Sequence, residues 1–84
     1  MKRIKTIEEL KKLCKGSYAD VFIALNYGLR SSKTICWDEN TGKFEVYHSI
    51  DGSIESLTEK QLMNPNRTNI GQAIKKGALF SIKK

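Results

Sequence analysis

The sequence predicts an α+β fold: a single domain over residues 1–84, with an antiparallel sheet of three to five strands and short helices packed on one face. Three observations carry this expectation. The middle of the chain reads as consecutive strands joined by Gly-containing turns, and the flanking segments show helical periodicity bounded by caps. The third is size: 84 residues, 39% of them hydrophobic, suffice for one thin core.

Taken in order, Thr6-Ile7-Glu8-Glu9 has the form of a capping box. Ile7, Leu10, Leu13 and Cys14 then share one face, which predicts a helix over residues 7–15 with Gly16 as its C-cap. Asp20 to Asn26 is continuously apolar and β-branched, as in a central strand buried on both faces. The polar stretch Tyr27 to Ser32 reads as a connection to a second strand, Lys33 to Asp38. Asp38-Glu39-Asn40-Thr41-Gly42 is a hairpin signal, after which Phe44, Val46, His48 and Ile50 line one face of a third strand. Asp51-Gly52 starts another turn, with Ile54 to Leu57 as a short fourth strand.

The period then changes. Thr58 and Gln61 form a capping box for a short helix that Pro65 ends. Asn69 with Gln72 repeats the pattern before a helix through Lys76, which Gly77 closes in a left-handed conformation. Ala78 to Ile82 is a last strand, expected at an edge where it could pair between chains. The predicted core joins Val21, Phe22, Ile23 and Leu25 to Leu10, Leu13, Val46, Ile74 and Phe80.

Composition narrows the function. The longest apolar run, Val21 to Leu25, is far short of the ~20 residues of a membrane span. The basic N-terminus runs into Glu8 and Glu9 instead of an apolar segment, so no signal peptide is expected and the cytoplasm is the expected location. Cys14 and Cys36 lie too far apart for a CxxC motif and read as small core residues. A chain this small has no room for the deep cleft most enzymes use, so neither catalysis nor a cofactor is expected. His48 is the sole histidine and has no ligand-spaced neighbours, which argues against a metal site.

Gly28 to Thr34 superficially resembles a phosphate-binding P-loop, but three features fail. Ser32 replaces the glycine before Lys33, the spacing is one residue short, and a strand follows where a helix should begin. What remains is a donor-rich segment, Arg30, Ser31, Ser32 and Lys33, suited either to contacting an anion or to serving as a polar connection in solvent.

Charge is more informative. The chain has 15 Lys or Arg against 9 Asp or Glu, a net +6. Residues 1–16 hold +4, residues 17–66 hold −3 and residues 67–84 hold +5, so the excess belongs to the two ends. If the ends meet, they form a basic patch that includes Lys75 and Lys76 and attracts polyanions in a salt-dependent way. Lysines outnumber arginines 12 to 3, however, and no aromatic-rich RNA-binding pattern, helix-turn-helix or zinc finger is present.

The segment Phe22-Ile23-Ala24-Leu25-Asn26-Tyr27-Gly28-Leu29-Arg30-Ser31-Ser32-Lys33-Thr34-Ile35 resembles a group of small uncharacterised proteins of bacterial phages, prophages and other mobile elements. The resemblance continues through residues 46–53, Leu57-Thr58 and residues 68–79, and implies a bacterial cytoplasmic accessory protein without assigning any site. The expected function is thus a non-enzymatic binding module for a macromolecular partner, protein or nucleoprotein. Direct nucleic-acid binding through the basic ends and the Arg30–Lys33 segment is the alternative, and a small nucleotide or phosphate binder is a third reading.

Overall fold

The computed structural model describes residues 2–26, 29–48 and 50–82, and the side chains of Asn26, Leu29 and Arg30 lie outside that description. Strands β1 (Lys2–Arg3), β2 (Ala19–Asn26), β3 (Leu29–Asp38), β4 (Lys43–His48), β5 (Ser53–Thr58) and β6 (Leu79–Ser81) form one sheet in the order β1-β6-β2-β3-β4-β5. Every pairing among them is antiparallel. Helices α1 (Ile7–Leu13), α2 (Glu59–Met63) and α3 (Ile70–Lys76) complete the α+β architecture.

Strand alternation divides the sheet into two unlike faces. Register partners Ile35 and Val46, Phe44 and Leu57, and Ile23 and Leu79 point to the inner face, where all six are buried. The helices cover this face with Leu10, Leu62, Ile70, Ala73 and Ile74, and the whole set forms one core. Trp37 packs its ring 4.5 Å from that of Phe44. On the outer face, Phe22 and Phe80 are register partners and only partly buried, while partners Tyr47 and Ile54 are exposed.

Several expectations need correction. The sheet has six strands, because the dipeptide Lys2–Arg3 adds one to β6. That addition puts β6 between β1 and β2, so the last strand has no unpaired edge and the sheet edges are β1 and β5. β2 buries one face, through Val21 and Ile23, and Phe22 and Phe80, expected in the core, lie on the outer face instead. Leu13 and Leu25 pack at the core's margin. Ile50 is fully exposed in the turn after β4.

Helix ends differ in similar detail. Thr6 caps α1 by accepting from the Glu9 amide at 3.2 Å, but the helix stops at Leu13. Cys14 to Gly16 instead bridge to β3: the Trp37 amide donates to the Cys14 carbonyl and the Gly16 amide to that of Trp37. Both halves of the Thr58–Gln61 capping box are present. Asn69 makes no side-chain cap. Thr68 does that work, its hydroxyl accepting from the Ile70 amide and donating to the Leu62 carbonyl, which ties α3 to the end of α2. Gly77 is left-handed, at φ 69°.

Candidate anion-binding surface

The Arg30–Lys33 segment was expected as part of a connection. It is strand: pairing with β2 extends β3 back to Leu29, with Arg30 opposite Ala24, Ser31 opposite Ile23, Ser32 opposite Phe22 and Lys33 opposite Val21. Alternation then separates the donors, with Ser31 and Lys33 on the inner face and Ser32 on the outer. The four residues therefore do not form a single donor-rich loop.

Lys33 instead meets residues that the sequence offered no reason to combine. It lines a cleft of about 200 Å³ with Val46, His48, Glu55, Arg67 and Thr68. His48 and Glu55 are diagonal neighbours across β4 and β5, and the His48 Nε2 lies 3.1 Å from the Glu55 Oε1. Arg67, from the connection between α2 and α3, donates through Nη2 to the other Glu55 oxygen at 3.0 Å. Lys33 has no carboxylate within 4.0 Å among the described residues. This leaves one uncompensated ammonium beside a neutralised Glu55–Arg67 pair, a setting that can hold a small anion electrostatically.

The basic ends meet. Antiparallel pairing of β1 with β6 places Arg3 opposite Phe80, with its guanidinium carbon 5.8 Å from the ring centre. Arg3 also adjoins the C-terminus of α3: a Cβ on Gly77 would lie 3.8 Å from the Arg3 Cδ. Lys75 and Lys76 are exposed on the turn just before that glycine. On the helical side, Lys2, Ile4, Glu9, Lys12, Leu13 and Ser81 line a groove of about 540 Å³.

Ion pairing decides which of these cations are available. Lys11 pairs with Glu59 and lies over the Trp37 ring, and Lys15 pairs with Glu39 at 3.1 Å. Lys2, Arg3, Lys5, Lys12, Lys75 and Lys76 have no carboxylate within 4.0 Å among the described residues. Lys83 and Lys84 belong to the same end of the chain but lie outside the described residues.

The two thiols stay apart from this chemistry. Cys14 is fully buried, and its Sγ donates to the Leu10 carbonyl at 3.0 Å. Burial first, and the neighbouring Cys36 second, push its pKa up to about 12. Burial and the Glu45 and Asp38 carboxylates likewise raise that of Cys36. No helix among the described residues is long and apolar enough to cross a membrane. No family model, curated protein or solved structure matches the chain.

Proposed function

We propose that this chain is a small, non-enzymatic basic binding module that engages a nucleic acid, free or held in a nucleoprotein complex, in the bacterial cytoplasm, as an accessory protein of a phage or mobile element. The supporting observation is that both basic chain ends meet where β1 pairs with β6 and Gly77 adjoins Arg3, and that Arg3, Lys75 and Lys76 lack carboxylate partners among the described residues. Unpaired cations on one surface recruit a polyanion by releasing its counterions, so affinity falls as salt rises. The test is retention on immobilised heparin and DNA over a salt gradient. Late, salt-dependent elution supports the reading. Elution at the start of both gradients points to an uncharged or protein partner and ends it.

A second reading has its own observation, the cleft where Lys33 faces His48 and the Glu55–Arg67 pair. A small phosphate compound bound there would raise the thermal midpoint by mass action. A nucleotide or phosphate titration to millimolar concentration with no shift excludes it.

A further inference from the structure

We propose that the outer face of the sheet is a stacking platform for the bases of a single-stranded nucleic acid, centred on Phe22 and Phe80. This rests on the nucleic-acid reading above and adds which form of nucleic acid is taken and by which side chains. The two phenylalanines come from opposite ends of the chain, but β2 and β6 are adjacent and set them as register partners on the face that no helix covers. Both rings are only partly buried. Small residues flank Phe22: Ser32 is its partner on β3, and Ala24 follows it on the same face of β2.

Charge selects the occupant. Arg3 lies over Phe80, and its guanidinium plane can itself stack on a base or contact a phosphate. Lys75 and Lys76 end α3 just before Gly77, which adjoins the Arg3 side chain. Asp20 shares the outer face, but its Oδ1 accepts a 2.7 Å hydrogen bond from the Thr34 hydroxyl. Paired aromatic rings beside unpaired cations fit a strand whose bases are free to splay onto the rings while its phosphates meet the cations. A duplex keeps its bases stacked internally and can use only the cations.

The test is fluorescence anisotropy with a labelled oligothymidine and a labelled duplex of equal length, for the wild type and the double variant Phe22→Leu/Phe80→Leu. Leucine keeps most of the apolar contact and removes the rings. The wild type should prefer the single strand. The double variant should lose about tenfold or more of that affinity, keep its salt slope, and bind the duplex as before. Ser32→Glu, which leaves both rings and the core intact, is the second probe should the double variant unfold, and it too should weaken single-strand binding. Equal affinity for the two forms, or single-strand binding unchanged in the folded variants, overturns the platform while the basic module stands. Binding of neither oligonucleotide at low salt overturns both, and would leave the outer face to a protein.

Discussion

Phe44 and Phe22 show how differently one residue type acts on the two faces of this sheet. Phe44 is fully buried against Trp37 and Leu57, whereas Phe22 is only partly buried on the outer face. Phe44→Ala should therefore cost about 3–5 kcal/mol, much of what so small a domain has. Phe22→Ala should cost only about 1–2 kcal/mol. Urea unfolding of both variants checks this, and equal costs would show that the faces have been misassigned. Cys14 yields a second prediction at this scale. Its folded pKa of about 12 stands above the ordinary 9.0, so the neutral thiol is favoured by the fold. The resulting stabilisation is complete below pH 9 and is lost as pH climbs from 9 towards 12. Stability should fall across that window, less steeply in Cys14→Ala, and iodoacetamide at pH 8 should label Cys14 only after unfolding.

Among the secondary-structure elements, the junction of α2 and α3 is the tightest. A Cβ on Gly71 would sit 2.5 Å from the Cα of Met63 and 2.6 Å from its carbonyl oxygen, and backbone atoms cannot swing aside. Gly71→Ala should therefore force the helices apart at a cost of about 1–3 kcal/mol. Gly77→Val should cost at least ~1 kcal/mol for a different reason: nothing crowds the site, but its φ of 69° is strained for an L side chain. Thermal unfolding of the pair separates the two causes if Gly71→Ser is as damaging as Gly71→Ala and Gly77→Asn is nearly neutral. Gly77, the Thr58–Gln61 box and the hairpin at Gly42 were legible because local chemistry determines them. Gly71 was not, since its constraint comes from the way α3 packs back onto Met63 of α2, which no local motif announces. Nor was β1, two charged residues that are strand only because β6 offers them a partner. The same limit applies to the site. Arg30 to Lys33 stood out as a run of donors, yet pairing with β2 makes it strand and divides it between faces. His48, Glu55 and Arg67, each unremarkable alone, are assembled by the β4–β5 register and the α2–α3 connection.

At the scale of the whole molecule, a net charge of +6 is distributed by topology more than by composition. Inserting β6 between β1 and β2 brings the two most basic segments together, while Lys11 and Lys15 are taken up by acidic partners. The helices occupy one face of the sheet and leave the other to carry Phe22 and Phe80 beside Arg3. Function is thereby expected to depend on the paired ends and to tolerate changes elsewhere on the surface, where substitutions shift stability by less than ~0.5 kcal/mol. The most direct measurement is the dependence of log K on log salt for a labelled oligonucleotide, compared between the wild type and Arg3→Gln/Lys75→Gln/Lys76→Gln. A linear decline is predicted for the wild type, with a slope shallower by about two to three in the triple variant and a nearly unchanged unfolding midpoint. Binding that ignores salt, or a triple variant that keeps the wild-type slope, would contradict it.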